Sequence, residues 1–237
     1  NDCGADYPFE AAQWAIAGEY ARHCGDLFRQ ERGEESIKLY FTYETPSYPS
    51  FSYIVSYEAY ADGSLLIRVE YPGVSGLPDM PVFALDWQMG KELQHFTYYG
   101  MGPEENYCDR AEGARLGKFA STVWDNFSGY LNPQECGNRT GVRYVELRDD
   151  EGSGVRLSSV GESFEMSILP YSAAELEHAG CREELGPQRY TWVRVAAAQM
   201  GVGGDDSWGA PVHDEYRLPA EQPRTLAFAI KALQRAE

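Results

Sequence analysis

The chain has 237 residues, of which 14% are aromatic, and a net charge of −17, with a pI near 4.6. That acidity argues against a nucleic-acid partner, whose phosphates call for clustered Lys and Arg, and against a polybasic membrane contact. No apolar run approaches a membrane span, no basic-then-apolar leader opens the sequence, and the length suits one large all-β domain, 1–237, with a sizeable core.

The first predicted element is a helix over Pro8–Gly25, with Phe9, Ala12, Ile16 and Tyr20 at helical spacing and Gly25 as its stop. The period then switches to two. Ile37, Leu39, Phe41 and Tyr43 share one face of Ser36–Glu44, and Phe51, Tyr53, Val55 and Tyr57 share one face of Phe51–Tyr60. Asp62-Gly63 turns the chain into Leu65–Tyr71 as a hairpin. Further alternating segments are Val82–Met89, Leu93–Tyr99, Val142–Arg148, Gly154–Val160, Phe164–Leu169, Tyr190–Ala196, Glu215–Leu218 and Thr225–Ile230. A second short helix falls at Ser172–Ala179, where Ser172 and Glu175 have capping-box spacing. Many short strands and few helices predict antiparallel β packing.

Cys3, Cys24, Cys108, Cys136 and Cys181 form an odd, scattered set without a CxxC pair. A reducing, cytoplasmic compartment fits that set better than a disulfide framework or a zinc site. His23, His95, His178 and His213 keep no metal spacing and read as ordinary core or surface residues.

Three stretches stand apart from the strand pattern. Met200-Gly-Val-Gly-Gly-Asp-Asp-Ser-Trp208 crowds glycines and two acids before a tryptophan, a broad apolar plate suited either to the core or to a sugar face. Tyr98-Tyr-Gly-Met-Gly-Pro-Glu-Glu-Asn-Tyr-Cys-Asp-Arg110 reads as a polar loop freed by Gly100 and Gly102. Tyr130-Leu-Asn-Pro-Gln-Glu-Cys-Gly-Asn-Arg-Thr-Gly-Val-Arg143 follows it.

Together with Asn1-Asp-x-Gly4, Trp14…Ala17-Gly18, Thr122-Val123 and Pro133-Gln-Glu-x-Gly-Asn138, these stretches resemble the C-terminal domain of glycoside hydrolase family 2 β-galactosidases, also found as a separate small chain. Two positions depart from the commonest pattern: Cys108 stands where Pro is frequent and Cys136 where Asn is frequent. The family motif normally extends upstream of Asn1, so a domain lacking its opening strands is expected.

The resemblance implies a large antiparallel β-sandwich, the supersandwich also seen in galactose mutarotases, with one or two short helices. It implies retaining hydrolysis of a β-galactoside such as lactose, by two glutamates on a separate (β/α) barrel that also holds the metal ligands. No catalytic residue and no metal ligand is therefore expected here, the Mg and Na sites of the family lying on other domains. Retaining chemistry also needs carboxyls facing each other at about 5 Å, whereas Glu104–Glu105 and Asp205–Asp206 are adjacent in sequence and diverge. The implied partners are that barrel, on the same chain or a large subunit, and the sugar, with the whole enzyme oligomeric.

By the same resemblance Trp208 reaches the mouth of the sugar site and stacks on the leaving-group side. Asp205 and Asp206 are expected to hold its loop through backbone N–H groups. Gly100, Gly102, Glu105, Asn106, Asp109 and Arg110 are expected to shape the rim, the glycines letting it move. Arg110 serves equally well as a structural partner of Glu104 or Asp109. Two other readings remain open: a free-standing mutarotase-like epimerase using a His base, and a non-catalytic carbohydrate-binding or structural module.

Overall fold

The computed structural model describes residues 7–25, 29–206 and 208–235, with side chains from residue 12 onward in the first helix. Cys3, Ser207 and the Asn1-Asp-x-Gly4 motif lie outside the described residues, as does the side chain of Phe9. In chain order the elements begin with α1 (Tyr7–Glu19), β1 (Arg22–His23), β2 (Arg29–Arg32), β3 (Ser36–Glu44), β4 (Ser52–Tyr60) and β5 (Leu65–Tyr71). Next come β6 (Val82–Gly90), β7 (His95–Gly102), β8 (Arg115–Thr122), β9 (Arg139–Val142) and β10 (Tyr144–Arg148). The last are β11 (Gly154–Ser159), β12 (Phe164–Leu169), α2 (Ala173–His178), β13 (Tyr190–Gln199) and β14 (Arg224–Leu233). Two compact units emerge, one of Asn1–Phe83, Cys108–Arg110 and Ala197–Ile230, the other of Ala84–Tyr107, Ala111–Ala196 and Lys231–Glu237.

In the first unit the antiparallel order is β1-β3-β4-β5-β14, with β2 also on β3. The register sets Phe41 opposite Val55, Val55 opposite Val69, and Val69 opposite Leu226, so one face is apolar across four strands. Aromatic rings extend it: Tyr43 stacks on Tyr53 at 5.4 Å, and Phe51 meets Tyr71 edge-on at 5.2 Å. Beside this face Tyr71, Met80, Met200, Val212 and Leu218 form a buried cluster, against which Trp14 and Tyr216 pack. The Trp14 indole also donates to Pro78 O at 3.0 Å.

Helix α1 is shorter than its periodicity suggests, ending at Glu19. The residues after it join a sheet edge, where Arg22 and His23 pair with Glu44 and Tyr43. The inward side also differs. Ile16 and Tyr20 are exposed, whereas Ala17 is buried and Trp14 packs on the cluster. The hairpin at Asp62-Gly63 is as expected. Gly63 has φ +80° and Asp62 accepts from Ser64 N at 2.9 Å.

In the second unit, four antiparallel strands run in the order β11-β10-β7-β8, and a second set runs β6-β13-β12-β9. Period-two patterning turns Phe96, Tyr98, Val145, Leu147 and Leu157 inward from the first layer, and Phe164, Met166, Ile168, Val193 and Val195 inward from the second. All are essentially buried, the arrangement of an antiparallel β-sandwich. Burial of each such side chain stabilises by about 1.5–3 kcal/mol. Helix α2 carries the expected capping box: Ser172 Oγ accepts from Glu175 N, and Glu175 accepts from Ser172 N.

The segment Glu215–Leu218, expected as a strand, is instead a 3₁₀ turn over Asp214–Tyr216 followed by extended chain. Tyr216 and Leu218 reach the buried cluster from that irregular backbone. Cys24, Cys108, Cys136 and Cys181 are in no disulfide. Among the described residues no helix is long and apolar enough to cross a membrane.

Candidate functional site

The Met200–Trp208 stretch begins where β13 ends. Met200 is buried in the apolar cluster, its N–H donating to Pro81 O at 2.9 Å, and Val212 re-enters the same cluster. The chain between these two anchors hangs as a loop. Two of its glycines are required by space: a Cβ on Gly201 would lie 2.7 Å from Asp109 Oδ2, and one on Gly204 would lie 2.1 Å from Ala210 O. Asp109 holds the loop base by accepting from Gly203 N at 2.8 Å, while its Oδ1 is buried without a partner.

Farther out, Asp206 Oδ1 accepts from Trp208 N at 2.8 Å and from Ala210 N at 3.2 Å, an Asx turn around the tryptophan. Asp205 takes a side-chain partner that the sequence did not reveal, His213 Nε2 at 2.7 Å. Only Asp206 therefore fills the backbone-holding role expected of both acids. Gly209 follows the indole with φ +102°. The outcome is a tryptophan 91% exposed at the loop tip. Indoles are rarely left so bare, because the exposed ring forfeits its apolar burial. An open depression of about 490 Å³ is lined by residues of the same loop and the chain after it, including Asp205, Pro211, His213, Glu215 and Arg217.

The other candidate stretch has a different anatomy. Gly100 and Gly102 lie inside β7 and not in a loop, and neither has positive φ. A Cβ on Gly100 would meet Val142 Cγ2 at 2.9 Å, and one on Gly102 would meet Tyr98 Oη at 2.2 Å and Phe119 at 2.8 Å. The expected freedom of a rim loop is thus replaced by close packing.

Asn106 is buried and fully engaged. Its amide donates to Met101 O and Glu104 O, and its oxygen accepts from Thr140 N and Thr140 Oγ1. Glu105 accepts from Ser128 Oγ at 3.1 Å, Gly137 N at 2.8 Å and Tyr130 Oη. Arg110 is exposed and belongs, like Asp109, Asp205, Asp206 and Trp208, to the first unit. Gly100, Gly102, Glu105 and Asn106 belong to the second.

Among the described residues no cluster of three His, Cys, Asp or Glu is arranged to hold a metal ion. The adjacent acids diverge, Asp205 toward His213 and Asp206 toward its own backbone. His95 meets Asp150 at 2.9 Å, with both side chains largely in solvent. The polar groups that carry structure, Asn106, Asn126, Asn138 and Arg139, are all at most 5% exposed. Of these the sequence singled out only Asn106 as a candidate. Its position in a polar run gave no sign that it is buried.

A family model described as β-galactosidase small chain matches residues 1–230. β-Galactosidase BgaC of Bifidobacterium adolescentis is 44% identical over 98% of this chain and 22% of its own length. The β-galactosidase small subunit of Latilactobacillus sakei is 31% identical over 97% of this chain and 80% of its own. The chain thus spans about a fifth of the length of the first curated relatives it matches. Among solved structures, a galactose mutarotase related enzyme from Lactobacillus acidophilus aligns with a TM-score of 0.43 at 14% identity, covering 89% of this chain and 72% of that one.

Proposed function

This chain belongs to the β-galactosidase small-chain family, and from that premise we propose that it is the accessory portion of a retaining, family 2 β-galactosidase of the cytoplasm. It lends the Trp208 indole to a sugar site whose two glutamates and metal ions reside on a separate barrel. Its substrate is a terminal β-galactoside such as lactose, and by itself the chain is inactive.

The observation that carries this reading is the exposure of Trp208, 91% bare on a loop pinned by Asp109 and Asp206. A tryptophan serving only as a core anchor would be buried. Here Met200 and Val212 do the anchoring and the indole is held outward. Pyranose C–H faces are apolar, so a fixed aromatic plate gains burial on contact without needing a directed hydrogen bond. A pinned loop also loses less conformational entropy on binding than a mobile one.

Complementation tests the proposal. The barrel-bearing chain and this chain, expressed separately and mixed, are expected to hydrolyse a chromogenic β-galactoside when neither does alone. Full hydrolysis by the barrel-bearing chain without this one would refute an accessory role.

A further inference from the structure

Among the described residues, carboxylates tie the loop carrying Trp208 at three places, and one tie differs in kind. Asp109 and Asp206 each accept backbone N–H groups. The third tie joins two side chains eight residues apart, Asp205 Oδ1 and His213 Nε2 at 2.7 Å, closing the segment that bears the indole. Imidazole is the side chain whose charge ordinarily changes near neutrality.

We propose that the Asp205–His213 pair is a latch that positions Trp208, holding the indole most firmly when His213 is protonated; this rests on Trp208 being the sugar-stacking residue. The geometry suits a latch. Asp205 is the residue just before the one that caps Trp208, and His213 follows Val212, which is fixed in the buried cluster. The free end of the loop is thereby hitched to its anchored end.

The surroundings favour the imidazolium. Asp205 faces His213 across the contact, and Asp214 and Glu215 follow it in the chain. Arg217, which lines the same depression as His213, is itself engaged by Asp79 at 3.5 Å and Asp214 at 3.6 Å. The hydrogen bond to Asp205, then its charge, holds the His213 pKa above the ordinary histidine value, against the opposing effect of desolvation. A pKa raised in the folded state fixes the sign. The latch is fully engaged below the ordinary histidine pKa, near 6.5, and weakens as pH rises through the raised value. Above it a neutral imidazole can still donate, but the hydrogen bond is no longer charge-assisted.

The test uses the complete β-galactosidase that contains this chain, with KM for lactose and kcat for an aryl galactoside measured from about pH 6 to about pH 9, the range in which imidazole titrates. His213→Ala removes the latch. His213→Gln keeps an N–H within reach of Asp205 but does not titrate. At the acid end His213→Ala is expected to raise KM about two- to fivefold, the range an exposed ion pair supports, with the difference shrinking toward the alkaline end. His213→Gln is expected to flatten that pH dependence, and neither variant to change kcat for the aryl galactoside. Added to Trp208→Ala, His213→Ala is expected to change nothing further. If Trp208→Ala raises KM while His213→Ala matches the wild type at every pH, the latch is refuted and the stacking role survives. If Trp208→Ala has no effect, the stacking role fails and the latch with it.

Discussion

The stretches 98–107 and 200–209 look alike as sequence, each mixing glycines with polar residues and ending near an aromatic, yet they do opposite things. In the first, Gly100 and Gly102 are buried in β7, where any side chain would strike Val142, Tyr98 or Phe119, and Asn106 is engaged on both sides of its amide. In the second, glycines bring Asp109 and Ala210 close, Asp206 and, from outside the stretch, Asp109 bind exposed backbone, Asp205 pairs with His213, and the aromatic faces water. The contrast teaches that glycine and carboxylate content alone does not identify a mobile functional loop. What separates the two is where the aromatic goes: Tyr107 is 5% exposed and Trp208 91%.

That contrast can be broken by substitution. The largest expected effect is at Asn106. Asn106→Ala leaves Thr140 N–H and two carbonyls without their side-chain partner around a buried position. It should cost about 3–5 kcal/mol of stability, read from denaturant unfolding of the chain. A loss below about 0.5 kcal/mol would place Asn106 outside the structural network. Gly102→Ala comes next. Overpacking against Tyr98 and Phe119 should destabilise by about 1–3 kcal/mol, visible as a lower Tm. An unchanged Tm would reopen the reading of this stretch as a pliable rim.

The tryptophan loop should respond in the other direction, with little change in stability and a clear change in sugar handling. Asp206→Ala removes the cap on Trp208 N and Ala210 N. It should leave unfolding within about 1 kcal/mol of the wild type, the range for loss of an exposed cap, while raising KM for lactose in the complete enzyme. Unchanged KM would mean that the Asx turn does not position the indole. The pH dependence expected through His213 is the subtlest effect, and it fades toward alkaline pH.

Much of the architecture was legible because burial imposes a period. The Asp62-Gly63 hairpin and strands β3, β4, β5, β6 and β12 follow from alternation and turn chemistry, and the α2 capping box from the Ser172–Glu175 spacing. Legibility failed where tertiary contacts overrode local pattern. Ile16 and Tyr20 share helical spacing but face solvent, because Trp14 and Ala17 are the residues turned toward the cluster. Glu215–Leu218 alternates as a strand would, over too few residues to define one. Strand β8 gave little signal, since as the last strand in its order it pairs on one side and exposes Leu116. At the candidate site the sequence marked Trp208, Asp109, Asp205 and Asp206. It gave no hint of the His213 partnership, a contact across a loop with no spacing rule to betray it.

The most direct measurement is Trp208→Ala in the complete enzyme, with KM for lactose, transfer to an acceptor sugar and thermal stability recorded together. Apolar burial of a stacked ring is worth about 1–3 kcal/mol, so KM for lactose should rise about fivefold or more and acceptor transfer should fall, while Tm stays unchanged. Wild-type kinetics with both lactose and an aryl galactoside, or a loss of activity that merely tracks a lowered Tm, would contradict the account.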